Sequence, residues 1–327
     1  MITAQIKLRT ENTMTSRDRT FLNFTPAQAA QYADGRGGSY PAPLYQAIFD
    51  FHGHRPHDLV LDVGTGPGKA VWDLLPHFKR AVGCDTSPGM IEQAKRDALQ
   101  NLGATVAKER TAFSVAGGED CASALTRGER ADVVTVAMTA HWLDLPRFYA
   151  SVAKALKPGG TLAIWTCSSM YCHPSVPSHE RIQETLSELE DGMLAPYVTP
   201  GNMLSRNAYE DLALPWDLKG VDGAYDRASF MRKDWDRYGV PSAAPLPDGT
   251  PGPFLMHEET TVEELGKALG SASMVVRWRD ANPEKAYGEE DAVKVTMRRL
   301  REALGGRESF VTSPSCTLLL LRRSGAD

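Results

Sequence analysis

The chain of 327 residues is long enough for one large domain or for a core domain with a sizeable insertion. A formal charge of −5 and a pI near 5.9 argue against a nucleic-acid backbone as the main partner, and 42% hydrophobic with 24% charged residues is typical of a globular protein. No apolar run approaches the ~20 residues of a membrane span, and the start of the chain lacks the apolar core of a secretion signal, so we expect a cytoplasmic protein.

The N-terminal part of the chain predicts an arm and two helices. Residues 1–20 are polar and without periodicity, which is typical of a mobile arm. A Thr-Pro pair at residues 25–26 supplies an N-cap and a first-turn proline for a helix that runs through Tyr32 and ends in a glycine-rich stretch. Apolar residues at helical spacing predict a second helix over residues 43–51.

From residue 58 onward, short apolar runs alternate with longer amphipathic segments, a pattern typical of parallel strands joined by crossover helices. The predicted strands lie at residues 58–63, 80–84, 110–115, 131–137 and 160–167. The predicted helices lie at residues 68–76, 88–100, 119–125 and 146–156. The sequence therefore predicts an α/β fold with a doubly wound, mostly parallel sheet.

The alternation stops at residue 168, where many prolines, glycines and separated aromatic residues begin. Helices are predicted again at residues 261–270 and 289–304, and an apolar strand at residues 316–322 is expected to return to the sheet. We therefore expect a cofactor-binding core interrupted by a substrate-binding cap. The core comprises residues 21–167 and 305–327, and the inserted cap comprises residues 168–304.

A buried strand runs into a glycine-rich turn in the stretch DLVLDVGTGPG at residues 58–68. Glycines let a ligand come close to the backbone. The spacing is not the GxGxxG of dinucleotide-binding loops, because Lys69 stands at the last position. It is not the GxxxxGK[ST] of phosphate loops either, because Val63 and Ala70 occupy required positions. What remains is a glycine turn preceded by the carboxylate of Asp62.

A second acidic residue, Asp85, ends the next strand. A carboxylate at that place can accept hydrogen bonds from both ribose hydroxyls of an adenosine. The segment SPGM that follows begins a helix and can bring Met90 against an adenine face. The turn, Asp85 and Met90 together indicate a ligand that contains adenosine.

These segments resemble the class I S-adenosylmethionine-dependent methyltransferases over about residues 20–170 and the final strand. DVGTGPG is similar to the first motif of that family, CDTSPGM to its ribose and adenine segment, and LKPGG to the turn before its fifth strand. The resemblance implies a Rossmann-like, seven-stranded sheet and S-adenosyl-L-methionine as cofactor. It implies cofactor contacts from Asp62, Gly64, Thr65, Gly66, Asp85, Thr86, Met90, Gly117, Glu119 and Thr139.

Within that superfamily the chain looks most like the trans-aconitate methyltransferases and their fungal relatives, which esterify small carboxylic acids. The resemblance rests on YxxxRxxxYP at residues 32–41, AHWLD at residues 140–144, and Ser271 and Ser273 with Trp278. A carboxylate acceptor is ionised at neutral pH, so it needs a cationic or hydrogen-bonding clamp and no general base. We therefore expect a carboxyl O-methyltransferase that acts on a small molecule as a monomer or homodimer.

The same resemblance suggests which side chains meet the acceptor. Arg36 is the first candidate for the clamp, and Tyr40 is expected near the sulfonium of the cofactor. His141 could orient the acceptor or act as a base for a phenol. Arg277 could form a second clamp or pack the cap on the sheet. The predicted catalytic residues are Arg36, Tyr40 and His141, and the predicted substrate-binding residues are Tyr32, Arg36, His141, Trp142, Trp235 and Arg277.

Three other functions remain open from the sequence. One is a phenol or hydroxyl O-methyltransferase of secondary metabolism. Another is a cyclase of the same fold that retains the cofactor without methylating, since intact cofactor residues predict binding in both cases. The third is a binding or scaffold module, which the retained glycine turn and Asp85 disfavour.

The cysteine and histidine patterns predict no disulfide framework and no metal site. The five cysteines are an odd number, are scattered, and form no CxxC pair. The stretch HGHRPH at residues 52–57 brings three histidines close together, but no further ligand cluster accompanies it, and a loop is the simpler interpretation.

Overall fold

The computed structural model describes residues 20–22, 24–35, 38–256 and 258–325. Almost all of the predicted N-terminal arm and the predicted clamp Arg36 therefore lie outside the described residues. Within the described ranges, no helix is both long enough and apolar enough to cross a membrane.

A sheet of eight strands forms the centre of the described part of the chain. The strands are β1 (Leu59–Val63), β2 (Arg80–Asp85), β3 (Thr111–Val115), β4 (Ala131–Ala137), β5 (Leu156–Cys172), β6 (Tyr225–Trp235), β7 (Glu258–Thr261) and β8 (Ser309–Arg323). Five of these strands are parallel, and β8 pairs antiparallel with β5, β6 and β7. The strand order is β3-β2-β1-β4-β5-β8-β6, with the short β7 paired to the start of β8. The predicted doubly wound, mostly parallel sheet is confirmed, and β7 adds an eighth strand to the expected seven.

Helices connect the strands and build the cap region. They are α1 (Pro26–Gly35), α2 (Ala42–His52), α3 (Lys69–Leu74), α4 (Pro88–Arg110), α5 (Leu145–Ala155), α6 (His179–Ser187), α7 (Pro200–Arg206), α8 (Val262–Gly270), α9 (Ser273–Ala281) and α10 (Ala292–Leu304). The α-helix predicted at residues 119–125 is instead a 3-10 helix at Gly118–Ala124, interrupted by the non-helical φ of −134° at Asp120.

Two strands depart from the sequence-based expectation. β6 lies within the stretch that we assign to the cap, yet it pairs with β8 in the central sheet. It is the last strand of the sheet and most of its residues are partly or fully exposed, so it lacks the regular burial that predicts a strand. β8 begins at Ser309 rather than at residue 316. Its first half is not predicted from the sequence, because it is rich in serine and threonine instead of leucine.

Apolar residues fill both faces of the sheet. On one face, Leu61 and Val63 of β1 share a buried cluster with Phe148 of α5. On the other face, Val60 shares a buried cluster with Leu74 of α3 and with residues of α2. Successive residues of β1 therefore point to opposite faces and all are buried, as expected for a central parallel strand.

The region assigned to the cap contains a third buried cluster. It joins α6, α8, α9 and α10 to the ends of β5 and β8 through Cys172 and Phe310. The division of residues 168–304 from the core stays a prediction, since β6 comes from the same stretch and belongs to the sheet.

The N-terminal helix α1 lies between α4, which follows β2, and α8, which lies in the predicted cap. A Cβ on Gly89, in the first turn of α4, would lie 2.5 Å from the carbonyl oxygen of Phe24. A Cβ on Gly35, at the end of α1, would lie 2.8 Å from the carbonyl oxygen of Lys267 in α8. These close approaches hold α1 between α4 and α8.

Candidate active site

The glycine turn after β1 is held against the end of β2. The N–H groups of Gly64 and Thr65 both donate to the Cys84 carbonyl, at 2.8 and 2.9 Å. Gly64 has a φ of 68°, and a Cβ there would lie 2.3 Å from Cγ2 of Thr139. Gly66 has a φ of 54°, but a Cβ there would meet no described heavy atom within 4 Å. Packing therefore requires Gly64, whereas Gly66 leaves space in which a ligand can approach the backbone.

The carboxylate of Asp85 fixes the same turn from β2. Its Oδ2 accepts a hydrogen bond from the N–H of Gly66 at 2.9 Å, and its Oδ1 accepts one from the N–H of Ser87 at 2.8 Å. Burial raises the pKa of Asp85, and the backbone donors partly oppose that shift. A carboxylate offers about four lone-pair sites, so Asp85 can also accept bonds from ribose hydroxyls.

Asp62 is a buried carboxylate immediately before the glycine turn. The residue is 1% exposed, and its Oδ1 accepts a hydrogen bond from Oγ1 of Thr135 at 2.6 Å. Its Oδ2 has no hydrogen-bond partner among the described residues. Burial raises the pKa of Asp62 to about 7. A cationic ligand group beside Oδ2 would stabilise the ionised form, because it compensates the loss of water.

The predicted adenine contacts lie beside the ends of β2 and β3. A Cβ on Gly117 would lie 3.1 Å from Oε2 of Glu119 and 3.5 Å from Cγ2 of Thr86. Oε1 of Glu119 accepts a hydrogen bond from the N–H of Asp144 at 3.0 Å. Met90 is 3% exposed in the first turn of α4. The predicted cofactor residues are thus grouped around the carboxyl ends of β1 to β4, where open α/β sheets bind ligands.

His141 and Trp142 follow β4 and pack against each other, with ring centroids 4.4 Å apart. Nδ1 of His141 lies 2.7 Å from the hydroxyl of Tyr209, a residue that is 2% exposed. A Cβ on Gly201, in α7, would lie 2.4 Å from Cζ3 of Trp142. The hydrogen bond to Tyr209 and the contact with α7 hold the two predicted residues in fixed orientations.

Tyr40 lies beside the end of the glycine turn. Its ring packs edge-on against Trp165 of β5, with centroids 5.2 Å apart. Nζ of Lys69, the first residue of α3, lies 4.6 Å from the centre of the Tyr40 ring. The structure therefore brings Tyr40 next to the turn that carries the predicted cofactor contacts.

Tyr32 and Trp235 occupy places different from the other predicted substrate residues. Tyr32 packs against Phe21 and Phe24 and lines a cavity of about 700 Å³ between α1 and the helices α8, α9 and α10. Trp235 is 8% exposed and belongs to the core cluster that also contains Trp165. Packing of the sheet accounts for Trp235 without a ligand.

Arg277 is linked to Trp142 indirectly, because both contact helix α7. Its guanidinium donates to the carbonyl of Tyr197 at 2.9 Å, to Oδ1 of Asn202 at 2.5 Å and to the hydroxyl of Thr20 at 3.1 Å. Asn202 lies one residue after Gly201, the glycine that packs on Trp142. The neighbouring Trp278 is buried in the hydrophobic cluster of the cap helices, so packing accounts for it.

Comparison with known proteins shows what this geometry is similar to. Residues 60–160 match the family model described as a methyltransferase domain. This stretch of the chain is therefore similar to a methyltransferase domain. The solved structure of a candidate type II methyltransferase from Anaeromyxobacter dehalogenans superposes with a TM-score of 0.55 at 21% identity, over 88% of this chain and 97% of that one. The fold is that of the class I, S-adenosylmethionine-dependent methyltransferases.

Curated relatives are methyltransferases as well. A probable S-adenosylmethionine-dependent methyltransferase of Saccharomyces cerevisiae is 34% identical over 138 residues, which cover 42% of this chain but only 45% of the yeast protein. A methyltransferase of Aspergillus candidus is 29% identical over an alignment that covers 95% of this chain and 99% of that protein. The yeast match thus spans less than half of that relative, whereas the Aspergillus match extends into the cap region.

S-adenosylmethionine is the cofactor of this class of methyltransferase domain, and the residues present fit it. The open space at Gly66 admits a ligand to the backbone, and the Asp85 carboxylate can accept from ribose hydroxyls. The unpaired Oδ2 of Asp62 suits the ammonium group of the methionine part. In the described part of the chain, no group of three or more His, Cys, Asp and Glu side chains is placed to hold a metal ion.

Two residues near the methyltransferase site carry no signal in the sequence. Tyr209 lies in the cap region, 68 positions from its hydrogen-bond partner His141, and no motif surrounds it. Asp73 lies in α3 and accepts hydrogen bonds from the segment before α2. Only the folded chain brings these residues to the site.

Proposed function

We propose that this chain transfers the methyl group of S-adenosylmethionine to a carboxylate oxygen of a small organic acid. The observation that supports this acceptor is the hydrogen bond between His141 and Tyr209. Burial raises the pKa of Tyr209, so its hydroxyl stays neutral near pH 7. A neutral phenol does not increase the basicity of an imidazole as a carboxylate partner does. His141 is therefore better suited to orient an acceptor that is already ionised than to deprotonate one.

The residues around the turn are suited to bind and orient, which is most of what this reaction requires. When bound, S-adenosylmethionine supplies a methyl group activated by the positive charge of its sulfonium. Asp85 would hold the ribose and Asp62 the ammonium, while Tyr40 covers the turn from the side of Trp165. Holding two reactants in alignment can contribute up to ~7–11 kcal/mol to a displacement.

The acceptor carboxylate requires a cationic clamp, and we propose Arg36 and Arg277 for it. A guanidinium matches a carboxylate with two parallel hydrogen bonds, which a lysine cannot reproduce. Arg36→Lys and Arg277→Lys should therefore each lower kcat/KM for acids about tenfold or more, equivalent to ~1.4 kcal/mol, with little change in cofactor affinity. Arg299→Lys, in an exposed ion pair with Glu188, is a matched control. Unchanged kcat/KM in both variants would remove the clamp from the proposal.

The reaction itself is tested by incubating the protein with S-adenosylmethionine and separate panels of carboxylic acids and phenols. Mass spectrometry then measures S-adenosylhomocysteine and the methylated acceptor. We expect methyl esters from the acid panel, and much less of them with the Asp85→Ala variant at the same subsaturating cofactor concentration. Cofactor binding without S-adenosylhomocysteine on any acceptor would instead favour a non-methylating reaction on the same fold.

A phenol acceptor is the second candidate, and His141 is the residue that would serve it as a base. The pH dependence of turnover separates the two acceptors. With a carboxylate acceptor, His141→Ala should lower the rate without changing the shape of the pH–rate profile between about pH 6 and 8. Loss of a titration in that range in the variant would assign His141 as a base and favour the phenol.

A further inference from the structure

Three hydrogen-bond donors from the N-terminal segment converge on the carboxylate of Asp73. The hydroxyl of Ser39 donates to Oδ1 at 2.6 Å, and the N–H of Tyr40 donates to Oδ2 at 3.1 Å. The hydroxyl of Tyr45, in α2, donates to the same Oδ2 at 2.7 Å. We call residues 38–41, which precede α2, the strap.

Asp73 lies in the helix that begins directly after the cofactor turn. Gly68 is the N-cap of α3, and Asp73 is one turn further along this helix. A bond from the strap to Asp73 therefore ties the strap to the same short element that continues the turn. A displacement of the turn would therefore displace the strap as well.

The strap bonds determine where the Tyr40 side chain lies. With its N–H held by Asp73, Tyr40 directs its ring to the edge of Trp165 and under Nζ of Lys69. Trp165 lies in β5, paired with Ala137 at the end of β4, and is fully buried, so it is a rigid surface for this contact. The Tyr40 backbone is thus held by Asp73, while its ring is held by Trp165 and Lys69.

The Tyr45 hydroxyl keeps its proton, and thus its hydrogen bond to Asp73, over a wide pH range. It is 8% exposed, and burial together with the neighbouring Asp73 raises the pKa of its hydroxyl. The hydroxyl therefore remains a donor throughout the working pH range of an enzyme. The hydroxyl of Ser39 and the N–H of Tyr40 are donors over the same range, so all three bonds to Asp73 keep their donors.

We propose that Asp73 is a positioning residue that holds the strap over the cofactor turn and thereby keeps Tyr40 against the bound cofactor. It acts through Tyr40 and touches neither the cofactor nor the acceptor. This inference rests on the proposed function for its consequence in catalysis, but the holding of the strap is measurable without methyl transfer.

The test compares Asp73→Asn and Asp73→Ala with wild type and with Asp50→Asn. Asparagine offers one acceptor oxygen to three donors, and alanine offers none. Asp50 accepts only the bond from Gln46 within α2 among its described hydrogen bonds, so it controls for a lost carboxylate in the same region. Tyr45→Phe removes a single donor and leaves Asp73 in place.

Two measurements are made on each protein. Hydrogen exchange reports the protection of amides in residues 39–45, with and without S-adenosylhomocysteine. Calorimetry reports the affinity for S-adenosylhomocysteine. Both Asp73 variants should show at least tenfold faster exchange in residues 39–45 and about tenfold weaker affinity, while β1 and β4 keep their protection. Tyr45→Phe should show a smaller effect of the same kind, and Asp50→Asn should show none.

Other results would overturn the proposal. Exchange in residues 39–45 that stays at the wild-type rate in both Asp73 variants would show that Asp73 does not hold the strap. Faster exchange with unchanged affinity would show that the bonds are structural only. Failure of the wild-type protein to bind S-adenosylhomocysteine would instead overturn the proposed function, and with it the role of the strap at a cofactor.

Discussion

At the scale of single residues, the site depends on carboxylates that are costly to bury. Asp62 and Asp85 both have their pKa raised by burial, and both adjoin the glycine turn after β1. Buried charges of this kind are retained where a ligand compensates them. The N–H of Gly66 in the glycine turn donates to Asp85, whereas Asp62 Oδ2 has no hydrogen-bond partner among the described residues. The two carboxylates should therefore respond differently to substitution.

Asp85→Ala should weaken the binding of S-adenosylhomocysteine by about 1.5–3 kcal/mol, the range for hydrogen bonds to a charged group. The variant loses both the bonds to ribose hydroxyls and the bond that fixes Gly66. Isothermal titration calorimetry measures the change. Asp97→Ala is a control in α4, where Asp97 accepts a bond from Gln93 on the same helix. Affinity equal to wild type in Asp85→Ala would show that the ribose is placed elsewhere.

Asp62 predicts a pH dependence of stability. Its pKa is about 7 in the folded protein, against ~3.9 in an unfolded chain, so folding favours the protonated form. The stability that it contributes is complete below about pH 4 and is lost as the pH rises through 7. In the ligand-free protein, the free energy of unfolding should therefore fall between about pH 5 and pH 8 by more in wild type than in Asp62→Asn. Urea unfolding at both pH values measures this, and equal falls in the two proteins would contradict the assignment.

At the scale of elements, the turn between β1 and α3 separates two uses of glycine. Gly64→Ala should destabilise the fold by about 2–5 kcal/mol, because a left-handed backbone costs ~1–2 kcal/mol and the Cβ would also collide with Thr139. Gly66→Ala should destabilise by only about 1–2 kcal/mol, since its Cβ meets nothing within the described residues.

Ligand binding should be impaired in Gly66→Ala, the variant with the smaller loss of stability. Gly66→Ala places a methyl group in the space that a ligand needs, so it should bind S-adenosylhomocysteine at least tenfold more weakly while remaining folded. Thermal melting and calorimetry on the same samples separate the effects. Wild-type affinity in folded Gly66→Ala would show that the ligand does not approach this part of the turn.

The elements that the sequence predicts well are those whose burial is uniform. β1, β2 and β4 are almost wholly buried and lie near the expected residues, since a central parallel strand is a continuous apolar run. β6 lies in the stretch that is assigned to the cap for its prolines and glycines, and as a largely exposed edge strand it presents no continuous apolar run. The glycine turn and Asp85 are local in sequence and were predicted together, and the structure brings them together.

The residues around the predicted acceptor site are less predictable, because packing between distant segments brings them together. Tyr209 and Asn202 reach His141 and Arg277 only through the path of α7 in the cap region, and no periodicity encodes that path. Trp235 has the aromatic character expected of a pocket, but its place at the end of β6 buries it in the core. Distances between segments far apart in sequence are decided by packing, which a single sequence does not display.

At the scale of the whole molecule, the cap region and the sheet share buried residues. Cys172 of β5 and Phe310 of β8 belong to the cluster that contains the cap helices. Helix α1 bridges α4 and α8 through close backbone contacts at Gly89 and Gly35. These contacts predict that the two parts unfold together, although the cap is proposed as a separate substrate-binding unit.

Breaking the ion pair between Arg279 and Asp291 tests whether the cap region and the sheet unfold together. Asp291 is fully buried, caps α10 and accepts hydrogen bonds from Nε of Arg279 at 2.8 Å and from Nη2 at 3.2 Å. Arg279→Ala leaves this buried carboxylate without its counter-charge, so it should cost about 3–5 kcal/mol. Arg299→Ala removes an exposed pair with Glu188 and should cost at most about 1 kcal/mol.

If the cap and the sheet form one cooperative unit, Arg279→Ala should lower the Tm of the entire protein in a single transition. Far-ultraviolet circular dichroism and tryptophan fluorescence should then give the same midpoint, because coincident probes indicate two-state unfolding. Asp291 also has its pKa lowered by Arg279, among other donors, so the stabilisation by this pair should be lost as the pH falls through that lowered pKa. Two separate transitions in Arg279→Ala, with the upper one at the wild-type midpoint, would show that the cap unfolds independently of the sheet.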